Sequence, residues 1–328
     1  MPASNMMRPL LAFVVLVSAC TVQQQPPVQS AAVDDHLSHM SATDTAAPRP
    51  MNGMRQGSAN LPPSANTAAA RLAASPRHAE WVKIAWEPGS SDSLMAWIVY
   101  PSTSNAKTPV VVVVHEIFGL STWVRGVADQ VAADGFIAIA PDLESRVRGG
   151  PSTVELSGDS ARKLIAGVNI AERNRGITAV ANYAMSQPSA APKYAVIGYC
   201  WGGSTTWGAA MNNGRGFSGG VAFYGSFPYM NGAVPIADSM AKISAPVMLL
   251  SGSQDARIGA SMPELDSTMK MLGKRYLGIN YPGAVHGFLR AQNDPKPARN
   301  EAEEAANLAA TVDGWPRTIA FLKKNLGV

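Results

Sequence analysis

Tyr194-Ala195-Val196-Ile197-Gly198-Tyr199-Cys200-Trp201-Gly202-Gly203 is the stretch that decides the fold. A short apolar run, suited to a buried strand, ends in Gly-x-Cys-x-Gly-Gly and gives way to the small-residue segment Ser204 to Met211. This is the pattern of a nucleophile elbow with cysteine in the place of serine. Such a turn holds its central residue strained at the strand's C-terminal end, above the N-terminus of the next helix. Glycines at 198, 202 and 203 let backbones approach where a Cβ would clash. The plain alternative is a buried cysteine serving only as a small hydrophobe in a glycine-rich turn.

Outward from the elbow the chain alternates strand and helix. Pro109 to Val114 is an unbroken β-branched run, as expected of a strand covered on both faces. Trp123 to Asp134 reads as a helix and Phe136 to Ala140 as a second buried strand, while Val154 to Tyr183 reads as two helices broken near Gly167. Gly220 to Phe223, Pro246 to Leu250 and Leu277 to Tyr281 read as further strands, with a closing helix from about Pro316 to Asn325. Upstream, Trp81 to Trp86 and Leu94 to Tyr100 read as an opening hairpin region. The alternation predicts an α/β class with a mostly parallel sheet and helices on both faces, in one domain over 79–328.

The N-terminal part is different. Arg8, the apolar run Leu10 to Val17 and then Val17-Ser18-Ala19-Cys20 read as an export signal over 1–19, too short to stay as a membrane span. The last four residues resemble a bacterial lipobox, which makes Cys20 the expected site of lipidation and the protein a cell-envelope or periplasmic lipoprotein. Val17-Ser18-Ala19 also suits ordinary cleavage that releases a soluble protein. Residues 20–78 are rich in Ala, Pro, Ser, Gln and Asn and contain no aromatic residue, so they read as a disordered tether. Asp34, Asp35, His36 and His39 within it are not read as metal ligands, since nothing there would hold their geometry. The net charge of +4 is spread without a Lys/Arg run, which excludes a nucleic-acid footprint. With Cys20 and Cys200 the only cysteines, a disulfide framework is excluded too.

Thiol catalysis needs a base for the cysteine and an acid to orient that base. Of five histidines, His36, His39 and His78 lie in or at the end of the tether, and His115 precedes the elbow on an early strand end. That leaves His286, after the strand Leu277 to Tyr281, in the chain order nucleophile, acid, base. Among Asp238, Asp255, Glu264 and Asp266, only Asp255 closes an apolar run, Val247 to Leu250 followed by Ser251-Gly252-Ser253-Gln254. Glu116 ends the most hydrophobic strand, where a carboxylate is costly without a partner. It is either a satisfied structural acid or a group that governs whether the Cys200 sulfur is thiol or thiolate.

Four motifs in order, His115-Glu116-Ile117-Phe118-Gly119, Gly198 to Gly203, Gly252-Ser253-Gln254-Asp255 and His286-Gly287-Phe288, resemble the dienelactone hydrolase family of the α/β-hydrolase fold. The similarity runs from about Trp81 to the C-terminus. It implies Cys200 as nucleophile, Asp255 as acid, His286 as base and Glu116 as the carboxylate that keeps the resting thiol protonated. The oxyanion hole would be the backbone N–H groups of Ile117 and Trp201. The resemblance further implies that Arg146, in Pro141-Asp142-Leu143-Glu144-Ser145-Arg146, and Arg290 hold a substrate carboxylate; both residues also suit a plain surface role. Glu144 stands where an aromatic is often found and is expected to add negative charge there. Arg257-Ile258-Gly259 lacks the proline common after the acid, and the export signal sets the chain apart from cytosolic members.

The reading is therefore a hydrolase of a small-molecule ester or lactone, working through an acyl-thioester with no metal or organic cofactor. A catalytically silent envelope binding protein is the alternative. Thiol redox chemistry ranks last, because the body holds no second cysteine to resolve a disulfide.

Overall fold

The computed structural model describes residues 60–328 apart from 104–106, 154–155, 232–233 and 298. The export signal, Cys20, the 34–39 cluster and most of the tether lie outside the described residues. Among the described residues ten strands occur in chain order: β1 Ala79–Ala85, β2 Ser93–Val99, β3 Thr108–Val114, β4 Ile137–Asp142, β5 Ala190–Tyr199, β6 Phe217–Phe223, β7 Met230–Asn231, β8 Val234–Pro235, β9 Val247–Gly252 and β10 Tyr276–Tyr281. β7 and β8 form a small hairpin; the others make an eight-stranded sheet in the order β1-β2-β4-β3-β5-β6-β9-β10. β1 and β2 pair antiparallel with each other, as do β2 and β4, and every pair from β4 to β10 is parallel.

Five consecutive valines, Val110 to Val114, put β3 at the sheet's centre with every residue buried. From β3 the chain steps one way to β4, and from β5 it steps the other way through β6, β9 and β10. Right-handed crossovers then place the helix Thr122–Ala133 on one face, and the helices Trp201–Asn212 and Ala256–Met271 on the other. The reversal falls between β3 and β5, so the crevice at their C-terminal ends is the place for a site.

Two boundaries differ from the sequence reading. Residues 60–78, read from the sequence as part of the tether, pack against the rest of the described residues. Leu61 is buried, a short helix spans Ala68–Ala73, and the Pro62 and Pro63 carbonyls accept from Gln292 Nε2 and Trp123 Nε1, both at 2.9 Å. The closing helix runs Glu301–Leu326, with Pro316 inside it rather than at its start. Asn300 caps it by accepting from the Glu303 N–H at 3.0 Å. Pro316 removes the donor for the Val312 carbonyl, and Val312 is half exposed, so water can take that place.

Candidate active site

At the end of β5 Cys200 has φ 55° and ψ −115°, a conformation that costs energy in a residue with a Cβ. The surrounding glycines make it attainable. A Cβ at Gly198 would lie 1.9 Å from the Gly202 carbonyl oxygen, and one at Gly202 would lie 2.4 Å from that of Val114. The helix that follows is buried from Trp201 to Ala210, so its small residues allow close packing on β5 and β6. Cys200 is fully buried and free.

His286 and Asp255 meet at this cysteine. Asp255 follows β9 and precedes the helix Ala256–Met271. Its Oδ2 lies 2.6 Å from His286 Nδ1. The same imidazole lies within electrostatic reach of the Cys200 sulfur. Backbone bonds hold the acid loop and the histidine loop together: the Gln254 N–H donates to the Ala284 carbonyl and the Ser253 N–H to that of Tyr281, each at 2.9 Å. Asn307 of the last helix accepts from the Val285 N–H at 2.9 Å. Burial opposes charge on the ring. A thiolate at Cys200, together with the bond to Asp255, outweighs it and raises the His286 pKa to about 10, so the ring holds a proton that the sulfur gives up.

Glu116, buried at the end of the β3 loop, has Oε2 3.7 Å from Arg290 Nη1. Beside the His286 imidazole stands Tyr224, a residue the sequence reading passed over. It follows β6 with φ 40°, its ring lies 5.0 Å from that of His286, and it is wholly buried. Burial, then Glu116 and Tyr199, push its hydroxyl well above the usual phenol range, so Tyr224 stays neutral. A strained tyrosine directly before Gly225 at a strand end was the available signal.

The Ile117 N–H takes part in none of the loop bonds among the described residues, and Trp201, first in its helix, has no intrahelical acceptor for its own. His115 fixes the loop that carries Glu116 and Ile117. Its Nδ1 lies 2.5 Å from the Glu116 carbonyl, and its Nε2 accepts from the Leu143 N–H at 3.1 Å, which sets the neutral tautomer. The ring stacks on Trp201 with centroids 5.4 Å apart. Burial lowers its pKa to about 4, with Arg148 and Arg173 adding and the Glu116 carbonyl opposing.

Arg146 is not brought into this cluster. It is partly exposed, pairs with Glu172 and lies 4.0 Å from Asp92. Glu144 does not add the negative charge expected of it. Burial, reinforced by Asp142 and opposed by Arg148 at 3.9 Å, raises its pKa to about 8, so the carboxyl is mostly protonated at neutral pH.

A mostly parallel sheet with its order reversed beside a strained nucleophile turn defines an α/β-hydrolase. Within that class the chain belongs to the dienelactone hydrolase family, whose model matches residues 94–326. It is 29% identical over 238 residues to a Salmonella typhimurium protein provisionally named a carboxymethylenebutenolidase, covering 71% of this chain and 84% of that one. It is similar in structure to a provisionally assigned dienelactone hydrolase of Klebsiella pneumoniae, with TM-score 0.60, 26% identity, and coverage of 75% of this chain and 98% of that one. A dienelactone hydrolase-like promiscuous phosphotriesterase from metagenomic libraries shares the fold, at TM-score 0.56 and 21% identity, covering 74% of this chain and 98% of that one.

Proposed function

We propose that the protein hydrolyses an ester or lactone of the dienelactone type through a Cys200-His286-Asp255 triad. The observation that carries this reading is His286, bonded to Asp255 at 2.6 Å and within electrostatic reach of the sulfur held at the strained elbow. The Cys200 proton passes to His286, and the thiolate attacks the carbonyl carbon. The resulting oxyanion is met by the Ile117 and Trp201 N–H groups, donors of a kind worth about 3–4 kcal/mol each. Collapse of the tetrahedral species breaks the bond to the leaving oxygen, which takes the proton from His286. An acyl-thioester remains. Water gives a proton to His286 as it attacks the thioester, and the expelled sulfur recovers that proton. Asp255 holds the imidazole in the tautomer this requires and stabilises its charged form.

Glu116 and Arg290 form a charge pair beside the reacting atoms. On this reading a substrate that draws Arg290 away changes how strongly Glu116 favours the protonated thiol. Esters with good leaving groups, such as enol lactones, suit a thiol nucleophile. Steady-state assay of the full chain on p-nitrophenyl acetate and on a dienelactone, beside Cys200→Ala, tests the reading. Turnover of both, abolished by the substitution, is expected. Turnover of the simple ester alone would remove the dienelactone assignment, and turnover that survives Cys200→Ala would remove the triad.

A further inference from the structure

The helix that carries Arg290 is a single turn, Phe288–Ala291, too short to hold itself. Its last carbonyls have no donor within the helix. They find donors outside it. The Leu289 carbonyl accepts from Gln292 Nε2 at 3.2 Å, the Arg290 carbonyl from the Ala65 N–H at 2.9 Å and the Ala291 carbonyl from the Asp294 N–H at 3.0 Å. The Gln292 amide also donates to the Pro62 carbonyl at 2.9 Å, so one side chain ties the helix end to the N-terminal segment. Asp294 Oδ2 clamps that segment a second time, accepting from the Asn66 N–H at 3.1 Å.

Gln292 has φ 42° and ψ −135°, a conformation that favours glycine, and it is buried. The backbone there requires no side chain, and carrying one costs strain. The amide offsets that strain, because its two hydrogens satisfy two buried carbonyls. Arg290 extends this anchoring into the site. Its Nη1 lies 3.7 Å from Glu116 Oε2, and its guanidinium carbon lies 5.2 Å from the Phe118 ring centroid. Glu116 and Phe118 flank Ile117, whose N–H the hydrolase reading gives to the oxyanion. Arg290 therefore joins the loop of His286 to the loop of Ile117.

We propose that Gln292 is a positioning residue. Braced by residues 62–66, it fixes the Arg290 helix, and through Arg290 it sets the spacing of the histidine and oxyanion loops. The effect on turnover rests on the hydrolase reading; the effect on the two loops does not. The test uses the full chain as wild type, Gln292→Gly, Gln292→Met, Asp294→Ala, Arg290→Met and the double variant Gln292→Gly/Arg290→Met. Glycine accepts φ 42° without strain, so Gln292→Gly removes the amide and leaves the backbone conformation allowed. Gln292→Met keeps a long side chain without its donors. Ile84→Ala, a core truncation on β1 at the far edge of the sheet, is the control for stability alone. Hydrogen exchange is followed in segments 287–292 and 115–121, and kcat/KM is measured on p-nitrophenyl acetate.

Both Gln292 variants should speed exchange in 287–292 by about tenfold, the loss of one or two hydrogen bonds, and Asp294→Ala by about threefold. Exchange in 115–121 should rise by similar factors in Gln292→Gly and Arg290→Met. Each of these two should lower kcat/KM by about tenfold, and the double variant should stay within about twofold of Arg290→Met, because both changes act through one side chain. Ile84→Ala should lower the urea midpoint and leave kcat/KM within about twofold. Unchanged exchange in 287–292 in both Gln292 variants would overturn the proposal. So would losses that multiply in the double variant, a fall in kcat/KM for Ile84→Ala equal to that for Gln292→Gly, or a 115–121 segment indifferent to Gln292→Gly. If the wild type does not turn over the ester, the hydrolase reading fails, while exchange in the two segments still decides the role of Gln292.

Discussion

His115 lies between Glu116 and Leu143, and its donor and acceptor roles both require a neutral ring. A histidine whose folded pKa is lowered, here to about 4, stays neutral while the unfolded ring takes a proton below about 6.5. Stability from this site is therefore full above pH 6.5 and is lost as pH falls toward 4, by about 3 kcal/mol in all. His115→Gln should remove that part of the slope, seen as urea midpoints that differ less between pH 7 and 4.5 than those of the wild type. At Asp255 the expected effect is on rate. Asp255→Asn should lower kcat by about 10³–10⁴-fold, because the amide no longer fixes the working tautomer of His286. Motif and chain order single out Cys200, Asp255 and His286 in the sequence, and the fold brings Asp255 Oδ2 to 2.6 Å from His286 Nδ1. The burial of Tyr224 and Arg173 was not legible there, since it depends on other elements packing against them. A charge on an amphipathic helix reads as exposed until Trp201 is seen to cover it.

The elbow and the N-terminal segment decide the site's architecture at the scale of elements. Glycine at 202 is a matter of space, because an added Cβ would meet the backbone oxygens of Val114 and His115 at 2.4 and 2.5 Å. Neither oxygen can yield without moving β3. Gly202→Ala should cost about 4 kcal/mol or more, read as a lower denaturant midpoint or loss of soluble protein. Residues 60–66 bind the turn that follows His286. Ala65 N–H donates to the Arg290 carbonyl at 2.9 Å, and Asn66 N–H to Asp294 Oδ2 at 3.1 Å. A chain starting at Asn60 serves as the reference for this segment's contribution. One starting at Ala79 should lose about 3 kcal/mol or more, from Leu61 burial and hydrogen bonds of about 1 kcal/mol each. The sequence read this stretch as linker because its anchors are backbone carbonyls, which composition does not reveal. Pro316 misled for a related reason: a local helix-start signal gave way to the Asn300 cap and to packing of the helix on the sheet.

For the whole molecule, the alternation of apolar runs and helical segments carried the sheet, since parallel strands buried on both faces must be nearly all apolar. Strand order was beyond its reach, because register depends on which faces meet. We also propose that the protein is exported and lipidated at Cys20. Growth with labelled palmitate should mark the wild type and leave Cys20→Ala unmarked. The central claim concerns the sulfur at the elbow. Mass spectrometry after rapid acid quench of the full chain with p-nitrophenyl acetate tests it most directly. The account predicts one acetyl group, on the peptide that contains Cys200, in the wild type and none in Cys200→Ala. An acetyl group on another residue, or its persistence in Cys200→Ala, would contradict it.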